Sequence, residues 1–132
     1  RASRLALDNG VYYAHFLILG GYGDTRENVR ETIENSRRME YTVMFPYAGM
    51  RIYPHTRLAE LAAKEGAIGR DDDLMAPSYY ISRDFDLEEV RRAALATGKA
   101  WVFPDDPQSA LADTLRLKRN KKGPLWEYLR KP

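Results

Sequence analysis

The sequence predicts an α/β protein built around a parallel sheet, and three observations carry that expectation. Residues 11–25, VYYAHFLILGGYGDT, run from β-branched and aromatic residues through a glycine loop into a charged segment of helical type, the order of strand, loop and helix. Within that run Phe16, Leu17, Ile18 and Leu19 are apolar at every position, the pattern of a strand buried on both faces in a sheet covered by helices. A second strand-like run, YTVMFP at residues 41–46, follows the helical segment after a short join. The three pieces make a βαβ unit, whose crossover is expected to be right-handed.

Taken in order, residues 2–9 read as a helix with Leu5 and Ala6 apolar and Gly10 just past its end. The strand at 11–19 follows at once. Asp24 and Glu27 stand three apart before a helix that reaches Met39, so Asp24 is the expected N-cap of a capping box. The apolar face of that helix is thin, carried by Val29, Ile33 and Met39, which suits the outside of a sheet. Residues 47–53 (YAGMRIY) either continue the second strand or form a short one after a bend at Gly49, and Pro54 stops them. Thr56 caps a helix with Leu58, Leu61 and Ala62 inward and Gly66 at its end. Tyr79, Tyr80 and Ile81 form a third possible strand. Asp86 and Glu89 make a second capping box, opening a helix over 87–97 that Gly98 closes. Trp101, Val102 and Phe103 are a short apolar piece. Asp106 and Pro107 then open a last helix bearing Leu111, Leu115 and Leu117.

With 132 residues and a net charge of +2, the chain is large enough for a single domain with one core. No internal repeat or low-complexity linker divides residues 1–132. The absence of cysteine excludes disulfides, thiolate zinc sites and cysteine-held iron–sulfur clusters within the chain. No apolar run approaches the roughly 18 residues of a membrane span, and no signal peptide is visible at residues 1–10. A cytoplasmic protein is expected. The chain begins at Arg1 and not at methionine, which suggests processing or a piece of a longer protein.

Candidate chemistry is sparse. The loop GGYGDT precedes a helix N-terminus, where free N–H groups and the helix dipole can hold an anion. It is neither GxGxxG nor a P-loop, so spacing alone leaves a tight turn and a ligand loop both open. His15 and His55 lack metalloprotease spacing and read as structural. Asp71, Asp72 and Asp73 lack the alternating ligands of a calcium loop and read as a solvated turn. Arg116, Lys118, Arg119, Lys121 and Lys122 form a basic run near the C-terminus. It can meet phosphates, but no RNA-binding motif accompanies it, and nucleic acid is not the expected partner. No catalytic triad or carboxylate pair is legible.

The block HFLILGGYGDTRENVRETIENSRRM resembles the fifth strand and following helix of radical SAM enzymes, many of which read h-f-I-x-G-x-P-G-E-T there. Gly20, Gly23, Asp24, Thr25 and the pair Thr32–Ile33 keep the pattern, with Tyr22 in place of the usual proline and Asp24 in place of glutamate. The block GMRIYPHTRLAELAAKEGAI resembles the sixth strand and its helix, with His55 in place of a glycine. DDDLMAPSYYIS and KKGPLWEYL resemble segments downstream of the barrel in members that also carry a cobalamin-binding domain.

This resemblance implies a partial (β/α) barrel: the C-terminal βα units of a TIM-like barrel over about residues 1–70, then a helical C-terminal extension over about 71–132. It implies that the CxxxCxxC motif for the [4Fe–4S] cluster lies upstream of Arg1, so that this portion is inactive alone. By the same resemblance Ile18 contacts the adenine of S-adenosylmethionine, Gly20 and Gly21 follow it in the cofactor loop, and Arg51 lies in the cofactor region with Met50 and Ile52 beside it. The implied reaction is reductive cleavage of S-adenosylmethionine to a 5′-deoxyadenosyl radical that abstracts hydrogen, or methyl transfer through cobalamin, with oxidoreductase or methyltransferase outcomes. A partial barrel exposes strand edges and apolar faces, so self-association is expected. The other reading is a stand-alone α/β binding module that uses the basic C-terminal tail for nucleic acid or a protein partner.

Overall fold

The computed structural model describes residues 2–104 and 124–130. Helix α1, Ala2–Asp8, ends as expected at Gly10, whose φ is +65°. The Gly10 N–H donates to Leu7 O at 3.0 Å and the Val11 N–H to Ala6 O at 2.8 Å, the two bonds of a Schellman closure. Strand β1, Ala14–Leu19, leads through the glycine loop to α2, Arg26–Ser36. Strand β2, Val43–Ala48, pairs parallel with β1 in the register Ala14↔Val43 to Leu19↔Ala48. The βαβ unit predicted from the sequence is therefore present.

The chain then bends at Gly49, φ +76°, into β3, Met50–Ile52. A Cβ at Gly49 would fall 2.5 Å from Tyr80 O, so the bend needs glycine for space as well as for dihedral angle. Both options for residues 47–53 are realised: β2 runs on to Ala48, and a separate strand follows the bend. Helix α3, Arg57–Glu65, has Thr56 as N-cap and Gly66 in the left-handed conformation at its end. Strand β4, Ser78–Tyr80, pairs antiparallel with β3, with Arg51 opposite Tyr79. Helix α4, Leu87–Ala96, is capped by Asp86. Strand β5, Ala100–Trp101, lies parallel to β2. A 3-10 turn at Leu125–Leu129 lies beside β2; the sequence reading did not anticipate it. The architecture is thus mixed α/β, with an open parallel sheet ordered β1-β2-β5 and a two-stranded sheet β3-β4.

Two cores result. One lies between the parallel sheet and the pair α2 and α4, and contains Leu19, Val29, Ile33, Met44, Val90, Ala94, Trp101 and Phe103. The other holds Ile52, Ala62, Leu74 and Tyr80, with Leu58 and Ile68 packed against it. Buried polar groups are satisfied locally: Ser36 donates to Ile33 O at 2.6 Å, and Thr42 donates to Tyr13 O at 3.1 Å, tying the entries of β1 and β2 together.

Four expectations need correction. First, β1 is not buried on both faces. Leu17 and Leu19 turn toward the helices, whereas Phe16 is 69% and Ile18 60% exposed; helices cover only one side of the sheet. Second, the capping box of α2 is Thr25 with Asn28, not Asp24 with Glu27. Thr25 Oγ1 accepts from the Asn28 N–H at 3.3 Å and Asn28 Oδ1 accepts from the Thr25 N–H at 3.0 Å, because the Asp24 carboxylate is engaged inside the loop. Third, α2 stops at Ser36, and Met39 follows in a turn closed by its N–H on Ser36 O. Fourth, the strand expected at 79–81 spans Ser78–Tyr80 and belongs to the small antiparallel sheet, not to the parallel one. The expected last helix with Asp106, Pro107, Leu111, Leu115 and Leu117, and the basic run from Arg116 to Lys122, lie outside the described residues.

Candidate functional site at the carboxyl end of β1

The glycine loop is held by its own atoms and by a segment sixty residues on. Gly20 has φ +74°, and a Cβ there would lie 2.4 Å from Cγ of Phe85. The ring of Phe85, just ahead of α4, therefore packs directly on the Gly20 backbone. A Cβ at Gly21 would lie 2.8 Å from Met50 Sδ. The Ser82 N–H donates to Gly20 O at 2.8 Å, and its hydroxyl donates to Asp24 O at 3.1 Å. The Gly49 N–H donates to Leu19 O at 2.7 Å.

Within the loop, the Gly21 N–H donates to Asp24 Oδ2 at 3.1 Å, and the Asp24 N–H donates to Gly21 O at 3.1 Å. A carboxylate of the chain itself thus takes a position that an anionic ligand would seek at a helix N-terminus. The charges nearby are also paired. Glu89 of α4 receives Arg26 at 3.1 Å and Arg30 in a second, closer ion pair. These pairs clamp α2 to α4 beside a narrow crevice lined by Val29, Ile33, Phe85, Val90 and Ala93. The sequence gives no sign of Phe85 or Ser82 as partners of the loop, since nothing local links position 20 to position 85.

The uncovered face of the sheet is the other half of the site. Phe16 stacks on Phe45 at 5.2 Å between ring centroids and approaches Tyr47 at 6.3 Å. The register pairs Ile18 with Tyr47, and Tyr47 is itself exposed. Leaving a Phe or Ile side chain in water forgoes roughly 1.5–3 kcal/mol of burial per residue, so this apolar shelf is suited to a partner or ligand that covers it. Its chemistry is that of aromatic faces and aliphatic edges, able to pack against a planar ring. The even spacing of Phe16 with Ile18 and of Phe45 with Tyr47 is the signal that could have marked it.

Of the residues that the resemblance assigned to the cofactor, Ile18 stands on this shelf. Gly20 and Gly21 are buried in the loop at the end of β1, and Ile18 Cγ2 lies 4.0 Å from where a Cβ of Gly21 would be. Met50 adjoins Gly21. Ile52 is buried in the second core. Arg51 is exposed on β3, with its guanidinium 4.9 Å from the centre of the Tyr53 ring. The structure therefore gathers Ile18, Gly20, Gly21 and Met50, and gives Arg51 a separate stacking contact.

The histidines serve structure. His15 Nε2 lies 3.4 Å from Ser3 Oγ of α1 and meets the Tyr13 ring edge-on at 5.5 Å. Burial holds its imidazole below the ordinary value of 6.5, because desolvation disfavours the charged form. His55 is exposed, at φ +59° in the turn before α3. Asp72 and Asp73 accept from the N–H groups of Leu74 and Met75 at 2.9 and 3.0 Å, which makes them turn residues. Tyr80 donates to Glu65 Oε2 at 2.8 Å, and that bond holds the phenol above its ordinary range. Among the described residues no three His, Asp or Glu side chains gather as metal ligands, and no helix is long and apolar enough to cross a membrane. No protein-family model, curated protein or solved structure matches the chain.

Proposed function

We propose that this chain is the C-terminal portion of a radical SAM iron–sulfur oxidoreductase or methyltransferase, supplying part of the S-adenosylmethionine and substrate pocket. The observation that carries the reading is the one-sided covering of the parallel sheet. Helices α2 and α4 lie on one face, and Phe16, Ile18, Phe45 and Tyr47 line the other. An arc of a (β/α) barrel has this arrangement, with helices outside and apolar strand residues inside. The end of β1, with Ile18 and the glycine loop, is also the end of the strand where such barrels bind ligands.

The residues present fit one part of the cofactor set and not the other. With no cysteine in the chain, the [4Fe–4S] cluster must be held by residues outside it. The shelf around Ile18 and Tyr47 fits a nucleobase, by apolar contact. When bound together, the cluster and S-adenosylmethionine supply reductive radical chemistry; cobalamin, where used, supplies methyl transfer. The work of this chain is to bind and orient. Ile18 packs on the base, and the Gly20–Gly21 loop, fixed by Phe85, Ser82 and Met50, sets the position of the strand end. The same uncovered face supports self-association of the chain by itself.

The test is to express the complete reading frame anaerobically and to assay iron, sulfide and 5′-deoxyadenosine under reductant. Cluster and product are expected. A full-length protein that takes up no cluster would end this reading.

A further inference from the structure

The two-stranded sheet has one buried face and one exposed face. Ile52 and Tyr80 point into the second core. On the other side, Arg51 stands directly opposite Tyr79, and Tyr53 continues the same face two residues on. Tyr79 is 55% and Tyr53 54% exposed. The Arg51 guanidinium lies over the Tyr53 ring at 4.9 Å. By contrast with Arg26, Arg30, Arg37 and Arg57, which all reach carboxylates, Arg51 has no acidic partner among the described residues.

From this placement we infer that Tyr79, Arg51 and Tyr53 form a stacking platform for single-stranded nucleic acid. The inference stands apart from the radical SAM reading. Two exposed phenol rings on one strand-pair face offer π-surfaces to unstacked bases. An arginine held by a ring and unmatched by any carboxylate among the described residues keeps its N–H groups for a phosphate. The charge of the chain, +2 overall with a basic run at residues 116–122, complements the same partner. A duplex, whose bases are already stacked, cannot use the tyrosine faces.

The experiment is fluorescence anisotropy of the whole chain with a labelled single-stranded RNA of about twelve nucleotides, within the usual site sizes for such surfaces, and with the matching duplex. Single-strand binding above duplex binding is expected. Tyr79→Ala should weaken it roughly tenfold, the scale of one lost stacking contact, and Tyr79→Phe should restore it. Arg51→Gln should weaken binding and lower the salt slope by about one. Far-UV circular dichroism checks that each variant keeps its fold. No binding by the native chain would overturn the inference, as would equal binding of duplex, or affinity unchanged in a folded Tyr79→Ala variant.

Discussion

The ring of Phe85 lies against the backbone of Gly20, so close that a Cβ at that glycine would come within 2.4 Å of the ring. This contact joins the loop after β1 to the entry of α4. It explains why glycine, rather than any residue with a side chain, stands at the end of the strand. Gly20→Ala carries two costs: roughly 1–2 kcal/mol for a side chain at positive φ and about 1–3 kcal/mol for overpacking. Urea denaturation should show a loss of roughly 2–4 kcal/mol. In a Phe85→Ala background the overpacking part should disappear, so the double-mutant cycle should give a coupling of about 1 kcal/mol or more.

Glu89 is the acidic partner of both Arg26 and Arg30. The arginines are more than half exposed and the carboxylate is 26% exposed, so solvent screens the pairs. Glu89→Gln should cost about 1 kcal/mol, the upper range for exposed pairs. The difference from the native chain should shrink in high salt. A cost that does not change with salt would mean that Glu89 acts through packing.

Acid should loosen the attachment of α1 through His15. Its folded-state value lies below 6.5, so the unfolded chain takes up the proton first. The stabilisation is complete above 6.5 and declines as pH falls below that value toward the lower folded-state value. His15→Gln keeps an acceptor for Ser3 and removes the titration. Denaturation midpoints measured against pH should fall more steeply for the native chain than for His15→Gln on the acid side.

The sequence made the local elements legible and left the distant contacts hidden. Caps at Thr56 and Asp86 and the glycine closures at Gly10 and Gly66 follow from residues a few positions apart, and all are in place. The βαβ unit is likewise readable from apolar periodicity. The N-cap of α2 shifts by one residue because the Asp24 side chain is drawn to the Gly21 N–H, a competition that pattern alone does not rank. The unbroken apolar run of β1 looked two-sided because composition does not say whether a second layer is present; Phe16 and Ile18 are apolar and exposed. The partners of the glycine loop, Ser82 and Phe85, are separated from it by the whole of β2, β3, α3 and β4, so no local signal could name them.

The apolar shelf should drive association of the isolated chain. Light scattering should find species larger than a monomer. Phe16→Asp, at a position 69% exposed, should shift them toward monomer with little effect on the unfolding midpoint. A strictly monomeric native chain would contradict this expectation.

The central claim is that the end of β1 holds the nucleoside of S-adenosylmethionine, and Ile18 tests it best. Its side chain is 60% exposed, so Ile18→Asp should fold, whereas changes at buried Gly20 would disturb the loop itself. The measurement is equilibrium binding of S-adenosylmethionine to the complete, cluster-loaded protein, native against Ile18→Asp. Loss of roughly tenfold or more in affinity with cluster content unchanged is the predicted result, as expected for a charge placed against an apolar ring contact. Equal affinity in the two proteins would contradict the assignment of this strand to the nucleoside pocket.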